Sequence, residues 1–290
     1  MAAHTHDDVD WAARLSGMRR LDDLESTATA GVADRLTHRL GAGATVVDVG
    51  AGAGGMSAAL AASLRARGGG TLVVIDAVDE LIAAAGDAAR EAGGTSVTVD
   101  RIVADAAAEP LAELVAPVDL VWASAVVHHL PDQQAAVDRL AAALRSGGVL
   151  AVAEGGLSMR CLPWDLGVGR PGLELRLLGH RDAWFEDMRS SMPDAVRMDY
   201  GWTTAVARAG LTDVTSFTYL VDHPAPGGEQ VREFVLDHVG GLAEMTDDRM
   251  DDEDRDAVAR LLDPAAAEYL GHRDDLCLLS ARTVYLGRKP

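Results

Sequence analysis

Val46-Val47-Asp48-Val49-Gly50-Ala51-Gly52-Ala53-Gly54-Gly55 is the stretch whose reading decides the fold. A β-branched run carries an acidic residue near its end and gives way to a glycine-dense turn. Residues 56–67 follow, alanine-rich and strong in helix propensity. The reading is strand, tight turn, helix. Glycine suits such a turn because it accepts positive φ and lets a ligand come close to the backbone. The helix behind it aims its unpaired N–H groups and positive dipole end at the turn. A nucleotide-type cofactor is expected there.

The glycines alone do not choose the cofactor. Gly50, Gly52 and Gly55 satisfy the G-x-G-x-x-G spacing of dinucleotide binders, and Gly50, Gly52 and Gly54 satisfy G-x-G-x-G. Asp48 separates them: a carboxylate two residues before the first glycine repels a pyrophosphate and attracts a cationic ligand. With that acidic-x-G-x-G-x-G form the chain resembles the class I S-adenosylmethionine (SAM)-dependent methyltransferases. The resemblance extends through His128-His129-Leu130-Pro131-Asp132 to the segment LRSGGVLAVAE at 144–154, closest to the small-molecule subgroup. The matching segments cover residues 44–156.

Further along, residues 71–76 form a buried-strand run ending in Asp76, placed to accept from ribose hydroxyls. A competing use is a helix cap, although Asp79 is the more natural one. Residues 96–104 read as a third strand, 118–124 as a fourth and 149–153 as a fifth. A helix at 133–144 ends at a C-cap signature, Ser146-Gly147-Gly148. Strands alternating with helices predict a parallel sheet covered on both faces, with the ligand across the strand C-termini near the switch point. A core helix at 199–209, a strand at 211–221 and a final strand at 276–286 complete the expected architecture. It is α/β, a doubly wound, mostly parallel seven-stranded Rossmann-like sheet with helical insertions. The expected division is a helical lid at 1–40, a SAM-binding core at 41–156, a helical cap at 157–200 and the rest of the core at 201–290. That last part carries a helical insertion at 228–270.

The N-terminal segment reads as two helices, 9–26 and 27–40, with Trp11, Leu15, Met18, Leu21 and Leu24 at helical spacing. An ordinary packed helix and a lid over the cofactor both stay open. His4 and His6 fall in a polar start expected to fray.

The totals bound the rest. A chain of 290 residues with nearly half of them apolar buries a core easily. The formal charge of -19 argues against nucleic acid and against an anionic membrane surface. Lys289 is the single lysine, a composition that reads as a GC-rich bacterial genome. Cys161 and Cys277 make neither a disulfide framework nor a metal cluster, so no metal is expected. No export signal or apolar run of spanning length is visible, and the expected location is the cytoplasm.

The resemblance implies SAM as cofactor and S-adenosylhomocysteine (SAH) as product. It carries cofactor contact to Asp48, Gly50, Ala51, Gly52, Gly54, Asp76, Ala77, Asp105, Ala106, Ala123 and Ser124. Asp105 would accept from the adenine amino group and the Ala106 N–H would reach a ring nitrogen. Methyl transfer from a sulfonium is an in-line displacement in which position and alignment are most of the task. A base is needed where the acceptor holds its proton tightly, as a hydroxyl does. His128 or His129, at the rim between cofactor and acceptor, fits that post; His180 and His223 are weaker candidates. Glu154, Arg160, Trp164, His180 and Trp184 are the expected acceptor contacts. Arg160, Arg170, Arg176 and Arg181 either face an acidic acceptor or pair with surface acids, and the second reading is favoured. Trp164, Trp184 and Trp202 are an apolar wall or core.

The expected activity is methylation of an oxygen or nitrogen of a small organic molecule in specialised metabolism. Two rivals remain: an NAD-dependent oxidoreductase, against which the lack of a Tyr-x-x-x-Lys pair speaks, and a SAM-binding protein without methyl transfer. A homodimer through one of the insertions is compatible with the sequence.

Overall fold

The computed structural model describes residues 11–106 and 109–290, so His4 and His6 lie outside the described residues. The central sheet has seven strands in the order β3-β2-β1-β4-β5-β7-β6. They are β1 (Ala44–Val49), β2 (Gly70–Asp76), β3 (Val97–Val103), β4 (Val118–Ser124), β5 (Leu144–Arg160), β6 (Thr212–His223) and β7 (Leu278–Arg288). The pairs β1–β2, β1–β4, β2–β3 and β4–β5 are parallel. Thr212 bonds to Arg288 and Thr218 to Thr283, so β6 and β7 run antiparallel and the sheet is mixed.

The central strands are apolar on both faces because helices cover both. On one face Val46, Leu72, Val74 and Leu120 pack with α1 (Trp11–Thr37), α2 (Gly55–Ala66) and α3 (Asp79–Gly93). On the other, Val47, Val73, Val121 and Val152 pack with α5 (Gln133–Ala142) and α7 (Trp202–Arg208). Trp202 packs against that second core. A short α4 (Leu111–Leu114) precedes β4. The chain steps from β1 outward to β3, then returns to β4 on the other side of β1. The crevice at the C-ends of β1 and β4 is therefore the switch point where open α/β sheets bind ligands.

The chain divides into two compact units: residues 1–156, 193–219 and 282–290 make the first, and 157–192 with 220–281 the second. The second unit holds α6 (Leu173–Ser191), α8 (Gly228–Thr246) and α9 (Asp252–Leu262). Leu173 and Leu177 of α6 and Val231, Val235 and Val239 of α8 are buried. Arg176 of α6 forks onto both oxygens of Asp254 in α9 at 2.7 Å, and Asp254 is buried.

Several local expectations need correction. The first helix is one piece: Thr29 donates back to the Glu25 carbonyl and Ser26 to that of Asp23, so these turn-prone residues stay helical. Where the sequence reads as two helical pieces, 173–178 and 181–190, α6 is likewise continuous through residues 179 and 180. Ser146-Gly147-Gly148 is not a helix cap but part of β5. Gly147 donates to the Lys289 carbonyl and Lys289 to that of Gly148, so two residues oppose one, the mark of a bulge. Asp79 lies inside the first turn of α3 rather than capping it, and the cap position is Val78. Residues 193–200 return to the first unit, where the Val196 N–H meets the Pro131 carbonyl at 3.0 Å.

Candidate active site

The glycine turn is shaped by its neighbours. Gly50 has φ +69°, and a Cβ there would lie 2.1 Å from Cγ2 of Val126, which leads into the loop after β4. Gly54 has φ +100°, and a Cβ would strike the backbone of Ala85 in α3 at 2.5 Å. Only glycine meets both demands at these positions. The Gly50 and Ala51 N–H groups point to the Ile75 carbonyl at 2.8 and 3.2 Å, tying the turn to the end of β2.

Three carboxylates meet this turn. Asp76, last in β2, accepts from the Gly52 N–H at 3.0 Å and from the Val78 N–H at 3.2 Å. Asp48 of β1 is buried and accepts from the Ser57 hydroxyl at 2.5 Å. Burial pushes its carboxyl up to about 7 against that hydrogen bond, and the neighbouring Asp76 and Asp22 charges push the same way. Asp22, on α1, accepts from the Gly55 N–H at 2.9 Å. Sequence reasoning missed Asp22 and Ser57; α1 carries no motif, and only packing brings Asp22 to the turn.

Of the remaining cofactor candidates, Asp105 and Ala106 line a small cavity with Val49, Ile75, Leu111 and Leu140. Glu109 and Arg139 also line it. Ala77 and Ser124 sit at the ends of β2 and β4, Ala77 exposed and Ser124 half-buried. Ala123 is fully buried, paired in register with Val49 on one side and Val152 on the other.

After β4, Ala125 takes φ +54° and a 3-10 turn, Val127–His129, follows. Such left-handed backbone on a non-glycine residue is held in place by its surroundings. Here the holding group is Glu154. Its Oε1 accepts from the N–H groups of Val126 at 3.1 Å, Val127 at 2.8 Å and His128 at 3.4 Å. Its Oε2 lies 2.5 Å from His128 Nδ1. Glu154 is buried and the His128 side chain is 29% exposed, so the acid anchors the ring while leaving it open to solvent. The rings of His128 and His129 stand 4.0 Å apart, tilted by 40°. Both oxygens of Glu154 are thus engaged within the protein.

The other acceptor candidates belong to the second unit. Arg160 donates to Glu174 at 2.5 Å and its charge is met there. Arg170 pairs with Asp251, Arg176 with Asp254 and Arg181 with Asp182, so these four arginines are bound to acids. Trp164 is 61% exposed and sits against Gly172, while His180 and Trp184 are half-buried in α6. Among the described residues no group of His, Cys, Asp and Glu is placed to hold a metal ion. No described helix is long and apolar enough to cross a membrane.

Comparison with known proteins agrees with this geometry. Residues 47–150 match the methyltransferase domain family. The chain is 32% identical over 205 residues to a ubiquinone biosynthesis O-methyltransferase of Xylella fastidiosa strain 9a5c, covering 66% of this chain and 78% of the relative. The enzyme of the same name from strain M23 is 40% identical over 110 residues, 38% of this chain and 41% of the relative. Among solved structures, the Haloferax volcanii protein bound to the Trm112 methyltransferase activator superimposes with a TM-score of 0.50 at 19% identity. That match covers 97% of this chain and 98% of the other, and shows the shared fold. The donor set at the strand ends, with the Asp48 and Asp76 carboxylates beside the glycine turn, fits a cationic nucleoside cofactor. The chain belongs to the class I SAM-dependent methyltransferases.

Proposed function

We propose that the chain methylates a hydroxyl oxygen of a small organic molecule, with His128 as general base and Glu154 as the residue that positions it. The observation that carries this reading is the 2.5 Å contact between His128 Nδ1 and the buried Glu154 carboxylate. A carboxylate on Nδ1 fixes the tautomer with that nitrogen protonated and leaves Nε2 as the acceptor. SAM, when bound, supplies a methyl group on a sulfonium with a good leaving group. The protein's own part is alignment and proton removal. As the acceptor oxygen gains the methyl group, its proton passes to His128 Nε2, and the negative Glu154 stabilises the imidazolium that forms.

An amine acceptor is the second reading. It needs the base less, because the lone pair of a neutral amine is free without prior proton loss. The name of the Xylella relatives, O-methyltransferases, supports oxygen. Asp76, Asp105 and Ala106 stay proposed contacts of ribose and adenine. Specialised metabolism in a bacterial cytoplasm, and a homodimer through an insertion, complete the proposal.

The test is transfer of labelled methyl from SAM to a panel of small phenols, sugar hydroxyls and amines. Transfer to a hydroxyl compound, lost in His128→Asn, is the expected result. Transfer confined to amines and unaffected in His128→Asn would replace the first reading by the second. SAM binding with no transfer to any class would favour a protein that binds the cofactor without methyl transfer.

A further inference from the structure

We propose that residues 193–200 form a strap that positions the turn carrying His128: Val196 and Tyr200 fix the end of that turn nearest α5, as Glu154 fixes its start. The inference rests on the reading of His128 as general base. It makes Val196, Tyr200 and Gln134 positioning residues for methyl transfer to a hydroxyl.

The turn has little to hold its own shape. It is a 3-10 turn of three residues, Val127–His129. Two bonds close it, from the His129 N–H to the Val126 carbonyl at 3.0 Å and from the Leu130 N–H to the Val127 carbonyl at 3.1 Å. The hydrogen-bond geometry of such turns is poorer than that of an α-helix, so outside bonds decide where the turn sits. Glu154 supplies them as far as the His128 N–H. Beyond His128 the chain runs through Leu130 and Pro131 to Asp132, which caps α5 by accepting from the Ala135 N–H at 2.9 Å. Proline has no N–H, so Pro131 brings its carbonyl alone to any backbone pairing.

The strap meets that carbonyl, and both belong to the first unit. The Val196 N–H donates to it at 3.0 Å, and Val196 pairs with Asp132 in an isolated parallel bridge. Four residues on, Tyr200 donates its hydroxyl to Gln134 Oε1 at 2.9 Å. Gln134 Nε2 in turn reaches the Ala205 carbonyl of α7 at 3.1 Å. Arg208 of α7 lies over the Tyr200 ring, 3.9 Å from its centre. Gln133, beside Gln134 in the first turn of α5, donates to the His128 carbonyl at 3.4 Å. A displacement at Tyr200 therefore reaches His128 through two neighbouring residues. Met198 and Tyr200 pack with Leu130 against the core of that face. Residues 193–197 and 199 are exposed. The strap thus buries little of itself, and its polar groups go to the chain that leads out of the His128 turn.

A base works where its nitrogen is aligned with the proton it takes, and a misplacement of about 1 Å costs on the order of 10²-fold in rate. Loosening one end of the turn lowers proton removal and leaves the cofactor site as it was.

The experiment uses Tyr200→Phe, which keeps the ring under Arg208 and removes the hydroxyl alone, Gln134→Leu, which removes its partner, and the double variant. Transfer of labelled methyl is measured to the small phenols and amines of the same panel. SAH is titrated calorimetrically, and amide hydrogen exchange of the SAH-bound protein is followed over residues 126–134. The kcat for phenols is expected to fall about tenfold in either single variant, and no further in the double, as for two residues acting through one bond. Transfer to amines, which need the base less, is expected to change little, with KM and SAH affinity unchanged and exchange at residues 127–130 faster. A merely structural role would slow both acceptor classes alike. Equal loss for phenols and amines, unchanged transfer to phenols, or unchanged exchange would overturn the inference and leave His128 as base. Phenol transfer that survives His128→Asn would overturn the base reading and this inference with it.

Discussion

Glu154 does two things at once. One oxygen gathers the N–H groups of Val126, Val127 and His128, and the other holds the His128 ring. Glu154→Gln keeps an acceptor for the backbone and takes away the charge that supports an imidazolium. Turnover should fall by about 10- to 100-fold, the usual cost of losing such an orienting partner, while SAH affinity stays unchanged; rate measurements beside a binding titration check both. Asp48 gives a pH prediction. Its carboxyl is raised to about 7 in the folded protein, so the stability from its protonated form is complete below the ordinary value of 3.8. That stability is lost as pH rises toward 7. Asp48→Asn, neutral throughout, should gain thermal stability over wild type at pH 8 relative to pH 4, by roughly 5 °C. An equal gain at both pH values in melting curves would mean that the buried group does not titrate as argued. His128 and Asp48 were legible as residues because they sit in motifs. The partnership of Glu154 with His128 was not. The register pairs Ser124 with Ala153, which sets the residues after the two strands side by side, and register is decided by the sheet as a whole.

At the level of elements, the turn after β1 and the turn after β4 are built against each other. Gly50→Ala would put a Cβ 2.1 Å from Val126 Cγ2 at a φ of +69°. It should cost about 1–3 kcal/mol from overpacking alone and lower turnover by displacing the turn that carries His128. A denaturant melt and an activity assay on one preparation check the pair of effects. In the second unit, α6 and α9 are joined by Arg176 and the buried Asp254, whose carboxyl is held below its ordinary value mainly by the Arg176 hydrogen bond. The stability this adds is present above the ordinary carboxylate range and lost as pH falls through it. Arg176→Ala leaves Asp254 buried with Arg170 as a more distant partner at 3.4 Å, and should cost about 3 kcal/mol by denaturant melt. Strand–turn–helix units with buried apolar runs were legible because each has its own local period. The cap at Ser146-Gly147-Gly148 was misread because a bulge and a helix end ask for the same glycines. The partner that decides between them, Lys289, is far away in sequence. Helix α1 was split for a similar reason, since its serine and threonine hydroxyls are satisfied by the helix itself.

Across the molecule, the parallel pairing of β1, β2 and β4 puts their C-ends on one edge, and the change in the direction of strand addition after β3 puts the crevice between β1 and β4. Asp48, Asp76 and the turn bearing His128 all come from that edge. This much followed from the alternation of strands and helices, because parallel strands with right-handed crossovers leave few topologies. What could not be read was that residues 157–192 and 220–281 gather into one compact unit, because the two pieces share no pattern. The account stands on SAM occupying the strand ends with Asp76 on its ribose. The most direct measurement is calorimetric titration of SAH into wild-type protein and Asp76→Ala, with NADH as control. Binding of SAH to wild type, lost in the variant, with no heat from NADH, is the predicted result. Binding of NADH in place of SAH, or SAH binding that is indifferent to Asp76→Ala, would contradict it.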